Sequence, residues 1–168
     1  MISLADRYRR WFDYEKDANK KVLDSYSSVP EAALNDPSFQ KAIDLFGHIM
    51  AARKLWLYRF GLGDKPAPDL FSRSVTLAEL PDLADRMNKT WTDYYESLDD
   101  EALVKVFEYQ SLEGDRFRNS VEDILTQLFG HALYHRGQIN VLIRSLGGTP
   151  APTDFVFWTR QPLGEKVE

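Results

Sequence analysis

The chain contains three histidines, His48, His131 and His135, and their spacing is the first sign of chemistry. His131 and His135 stand four residues apart, which on a helix puts both rings on one face about one turn apart. That face is apolar: Val121, Ile124, Leu128, Ile139 and Leu142 share its stripe. His48 falls in a second helical row, with Leu45, Ala52 and Leu55. Two core-facing rows carrying all the histidines can point three rings at one place. A buried imidazole needs partners for both nitrogens, and a divalent metal answers that need. Three neutral imidazoles on one ion leave positions open for water or substrate, as in catalytic zinc sites. Imidazole suits Zn, Ni, Fe and Cu alike. A metal-free core in which each ring bonds a backbone carbonyl is the competing reading. The protease signature is absent, because Ala132 follows His131 where that motif has its glutamate.

The elements that must position these rings are legible from hydrophobic period and capping signals. A first helix covers about Ser3 to Ser27, with Leu4, Tyr8, Trp11, Ala18, Val22 and Tyr26 on one stripe. Glu15 falls in that stripe; a place at its edge is the first reading and a polar interior the second. Asp36-Pro37 opens a second helix through Trp56, closed by Gly61-Leu62-Gly63. Asp64 to Val75 is a loop. Thr76 and Glu79 form a capping box, and regular helix is expected from about Pro81, with Ala84, Met87, Trp91, Tyr94 and Leu98 on its stripe. Asp99 to Asn119 reads as a hairpin or extended loop turning at Glu113-Gly114-Asp115. A fourth helix runs from Ser120 to Gly147-Gly148. The tail 149–168 holds three prolines and reads as non-helical, with Phe155 and Trp158 folded back either onto a pocket or onto the end of the bundle. The fold class expected is therefore all-α: one domain over 1–168, a four-helix bundle with a long connection before the last helix. Neighbouring helices are expected to alternate up and down, and that long third connection permits a crossover.

Composition narrows the function classes. With no cysteine, disulfides, thiolate nucleophiles and Cys-based metal sites are excluded. The net charge of -5 and diluted basic clusters argue against nucleic-acid binding. No stretch approaches a membrane span, and Met1 to Arg10 lacks the apolar core of a secretory signal; a cytoplasmic protein is expected.

The helix-four segment Phe129-Gly130-His131-Ala132-Leu133-Tyr134-His135-Arg136-Gly137-Gln138-Ile139 resembles the signature of the DinB superfamily, His-x-x-x-His-Arg-Gly-Gln-Ile. Gly47-His48-Ile49, Leu55-Trp56-Leu57, Tyr14 and Ala18-Asn19 match its weaker marks, over about Tyr8 to Gly148. The resemblance implies a helical bundle, often a homodimer, with one divalent metal, zinc or nickel first and iron as a further option, on His48, His131 and His135. It also implies a small-molecule substrate, with a low-molecular-weight thiol as co-substrate in the S-transferase members. Non-catalytic metal binding in stress response and metal-dependent hydrolysis are the alternatives. The helix-one pattern departs from the family's, with Asp17 where Trp often stands. Gln138 and Gln127 are candidates for orienting bound imidazoles, with solvent exposure an equal reading for Gln127, and Asn19 is a candidate for the pocket. Arg136 has two readings, an anion contact or an internal ion pair. Gly137, costing about 1 kcal/mol against Ala in a helix, reads first as a tight helix crossing and second as room for a ligand. Trp56 and Trp91 read as core.

Overall fold

The computed structural model describes residues 2–164. Four long helices carry the fold: α1 (Leu4–Ser25), α2 (Pro37–Arg59), α3 (Leu80–Ser97) and α5 (Val121–Ser145). Each starts where local chemistry satisfies its orphan N–H groups. Ser3 with Asp6, and Ser120 with Asp123, form capping boxes at α1 and α5. Asp36 accepts from the Ser38 N–H and Pro37 fills the first turn of α2. Before α3, Thr76 and Glu79 cap a short 3-10 turn at Leu77–Glu79, and Pro81 sits in the first turn that follows. Gly61 (φ 74°) and Gly147 (φ 84°) end α2 and α5 in the left-handed conformation that glycine adopts without strain.

The segment between α3 and α5 contains a five-residue helix, α4 (Asp100–Val104), which the loss of long-range period concealed; Asp99 caps it by accepting from the Ala102 N–H. The expected hairpin follows, with β1 (Val106–Gln110) antiparallel to β2 (Arg116–Ser120) and Tyr109 opposite Phe117. The tail is not wholly non-helical. Once past Pro150 and Pro152 it forms α6 (Phe155–Thr159). It folds back as expected: the Tyr14 hydroxyl donates to the Thr153 carbonyl, and Asn140 exchanges two hydrogen bonds with the Ala151 backbone. Its last residues, 165–168, lie outside the described residues.

Helix order corrects the simple alternating picture. The side-by-side pairs are α1–α5, α5–α2, α2–α3 and α3–α1, so α1 and α2 stand on a diagonal. Tyr8 bonds Thr126 and Asn19 bonds Arg136, so α1 and α5 run parallel. Arg9 bonds the Tyr95 carbonyl, so α3 runs against α1. Phe60 packs on Trp91 and Tyr94 while Ile43 shares a core with Leu80, so α2 and α3 run parallel. The connection that must span a helix length is therefore 60–79, not the one before α5. A 23-residue helix is about 35 Å long, and returning past it carries this segment along the face of α2 that holds His48.

The interior has two apolar cores with polar groups between them. One gathers Val22, Phe39, Phe46, Ala84 and Ile143; the other gathers Tyr8, Phe12, Trp91, Leu103 and Leu125. Between them lie Glu15, Asn19, Arg53 and Arg136, all 3% exposed or less. Glu15 is thus interior rather than at a stripe edge. It receives Arg53 Nε at 2.8 Å and pairs with Nη2 across the diagonal. The guanidinium also stacks over Phe12 and Trp91, at 5.4 and 5.2 Å from the ring centroids.

Candidate metal centre

His48 on α2 faces His131 and His135 on α5 because the two helices pack antiparallel at this level. His131 Nε2 lies 3.1 Å from His48 Nε2 and 3.1 Å from His135 Nε2. One nitrogen from each ring lies within 4.8 Å of both others. All three side chains are half-buried. Zinc–imidazole bonds of about 2.1 Å separate tetrahedral ligand atoms by about 3.4 Å and right-angled ones by about 3.0 Å. The two 3.1 Å separations fit that range, so the donor set suits one divalent ion. Three converging nitrogens are a poor hydrogen-bonded cluster, since each close pair needs one proton-bearing and one bare atom.

The surroundings favour the neutral, metal-binding form. Burial lowers the affinity of His131 for a proton, and the neighbouring His135, His48 and Arg53 add to this, bringing its pKa to about 4. Burial, then His135, pushes His48 down as well. His135 Nδ1 lies 2.8 Å from Gln138 Oε1. With the Nδ1 proton donated to that oxygen, His135 keeps its lone pair on Nε2, facing the other rings. Gln138 sits one helical turn beyond His135, so the partner is built into the same α5 face.

Two spaces adjoin the rings. An open groove of about 210 Å3 is lined by His48, His131, Leu55, Trp56, Phe71 and Gln127. Trp56 is accordingly half-buried in a wall rather than a core residue, unlike Trp91, which is fully buried. A second cavity of about 190 Å3 lies between α2, α3 and the 60–79 connection, and shares His48 and Phe71 with the first. The Phe71 ring stands 5.3 Å from that of His48. Asp44 holds this connection in place by accepting from the Val75 N–H at 3.1 Å, and Gln40 donates to the Val75 carbonyl at 2.8 Å. Gly47 makes the approach possible, since a Cβ there would stand 2.7 Å from a Val75 methyl.

Most of the other residues singled out by sequence lie elsewhere. Asn19 and Arg136 meet each other, with Asn19 Oδ1 accepting from Nη1 at 3.0 Å, inside the α1–α5 interface. Neither lines the spaces beside the histidines. Among the described residues Arg136 makes no ion pair; its guanidinium lies over the Tyr14 ring. Gly137 is not at a tight crossing: a Cβ there would meet nothing within 4 Å among the described residues, and the glycine borders the tail groove instead. Gln127 borders the open groove and is exposed to solvent. Phe155 and Trp158 pack on Tyr14, away from the histidines. Sequence reasoning missed Phe71 and Arg53. Arg53 left a signal, lying three residues after Met50 and four before Leu57 on a buried face.

A helical protein with an open three-histidine centre, reached from two sides, is the class that fold and site define. The family model for the DinB family matches residues 3–164, and the chain belongs to that family. Protein DinB of Bacillus subtilis (strain 168) is 22% identical over 174 residues, covering 98% of this chain and all of that protein. A crystal structure of a DinB-like protein from Bacillus cereus ATCC 10987 superposes with a TM-score of 0.65 at 20% identity, covering 89% of this chain and 97% of that one. That likeness supports the fold.

Proposed function

We propose that the protein is a divalent-metal-dependent transferase that joins a low-molecular-weight thiol to a small electrophile, with His48, His131 and His135 as the metal ligands. The observation that carries this reading is the convergence of three imidazole nitrogens beside two ligand-sized spaces. Zinc or nickel is the expected ion, with iron as a further option, because imidazole donors do not choose among them by softness. Such an ion, when bound, supplies Lewis acidity that lowers the pKa of a thiol or water at its open positions.

The chain's own residues do the rest. His131 and His48 stay unprotonated at neutral pH. Gln138 orients His135. Phe71 and Trp56 wall the approach to the rings. Two features favour a thiol over water as nucleophile. Among the described residues no carboxylate joins the histidine cluster; Asp44 and Asp69 lie farther off, in the lining of the second cavity. The chain has no cysteine, so the sulfur must come from a co-substrate. In the transfer, a sulfur lone pair forms the new C–S bond. The leaving group departs with the electron pair of the broken bond, and the thiol proton goes to solvent. The family resemblance suggests a homodimer, and the cysteine-free composition fits a cytoplasmic setting.

The test is a panel of small thiols, glutathione, bacillithiol and mycothiol among them, against alkyl and aryl electrophiles. Thioether formation should require metal, vanish with chelator, return on adding zinc or nickel, and be lost in His135→Ala. Metal binding without turnover on any pair would contradict the transfer and leave a metal-binding bundle. Hydrolysis at equal rate with and without thiol would replace it with a hydrolase.

A further inference from the structure

The cavity between α2, α3 and the 60–79 connection has a distinctive lining. Met50, Ala51, Val75, Leu83 and Met87 supply its apolar wall, with Phe71 where it meets the histidine groove, and Asp44, Lys54, Asp69, Ser72, Arg73 and Ser74 complete the lining. Met50, Ala51 and Val75 are buried. The sequence has three methionines. Met1 begins the chain, and both others line this one cavity. A thioether is polarizable, adapts its shape, and contacts aromatic ring edges favourably. Volume sets the size of the guest. An engineered apolar cavity of about 150 Å3 in another protein binds benzene, and the present one has about 190 Å3, enough for one substituted ring. The wall is also preformed. Asp44 and Gln40 pin the Val75 backbone, and Gly47 lets it lie against α2. Little ordering is then left for the ligand to impose.

We infer that this chamber seats the aromatic ring of a small substrate, gripped between Met50 and Met87. The ring's substituent is directed past Phe71 toward His48. The thiol enters by the other side, through the groove lined by Trp56 and Gln127. The substrate's part in catalysis rests on the transfer reading above, but seating the ring requires neither metal nor turnover.

The test uses the full chain labelled with 13C at the methionine methyls, metal-free and zinc-loaded, titrated with benzyl alcohol and separately with cyclohexylmethanol. Benzyl alcohol should shift the Met50 and Met87 methyl signals upfield to saturation. It should bind at least about threefold more tightly than the saturated ring, the scale of a sulfur–aromatic preference. Leu83→Trp, which fills the chamber, should weaken binding about tenfold or more. The His131→Ala/His135→Ala double variant, whose changes lie outside the chamber, should bind within about twofold of wild type. Unmoved Met50 and Met87 signals, equal binding of the saturated ring, or undiminished binding in folded Leu83→Trp would each overturn the inference. If Leu83→Trp does not fold, the wild-type titrations decide alone. Failure of the two readings is distinguishable. Intact methionine shifts without thiol-dependent turnover sink the transfer only, whereas turnover without the shifts sinks the aromatic chamber only.

Discussion

Gln138 acts through His135, and its effect is separable from packing. Partners of this kind typically change metal affinity by about 10–100-fold. Gln138→Leu should weaken metal retention by that factor in competition with a chelating dye, while the metal-free melting temperature stays nearly constant. Equal affinities would show that the Gln138 contact does not orient the ring. His131 gives a second expectation. Its pKa is about 4 in the folded chain against an ordinary 6.5. Between those values the unfolded chain binds more protons, so stability falls as the pH is lowered through that window. Above about 6.5 both states are neutral at this residue and its contribution is constant. Urea unfolding of metal-free protein at about pH 7.5 and about pH 5 should show the loss, and His131→Gln should shrink it. Parallel pH profiles for the two proteins would contradict the assignment.

At the scale of elements, the Glu15–Arg53 pair ties α1 to α2 across the diagonal, and its two halves should not be independent. Removing one partner strands a buried charge, a cost of about 3–5 kcal/mol; replacing both with apolar side chains of similar size is often neutral or better. Glu15→Gln and Arg53→Met should each lose stability in denaturant unfolding, and Glu15→Leu/Arg53→Met should recover most of the loss. Additive losses would show that the pair is not coupled. Gly47→Ala places a methyl against Val75 and should cost about 1–3 kcal/mol through overpacking, read by the same unfolding measurement. These sites mark what was legible in the sequence. The ends of α2 and α5 were readable because Asp36-Pro37, Ser120-Asp123 and the terminal glycines act within one turn of the chain. The histidines were readable because i, i+4 spacing fixes a shared face. Glu15 was misplaced because period gives a residue's face but not what lies opposite. The internal partner of Arg136 was not legible, because Asn19 lies 117 residues away and no local rule relates the two.

At the scale of the molecule, helix direction follows from how the connections pack, which loop length does not encode. The up-down-down-up order puts α1 beside α5 and runs 60–79 along α2, and this alone brings Phe71 and Val75 to the histidines. The two apolar cores supply the burial that holds the bundle together. The polar layer between them, Glu15 with Arg53 and Asn19 with Arg136, adds hydrogen-bonded pairs that only one helix register satisfies. The three imidazoles lie at the same level on the α2–α5 side, where the chain leaves room beside them. In the proposed centre one ion sits on rings from two helices. Elemental analysis of untagged protein, reconstituted with zinc or nickel and dialysed, tests it most directly beside the His48→Ala/His131→Ala/His135→Ala variant. The expected result is about one equivalent of metal per chain in the wild type and almost none in the folded triple variant. Equal metal in the two proteins, or none in either, would contradict it.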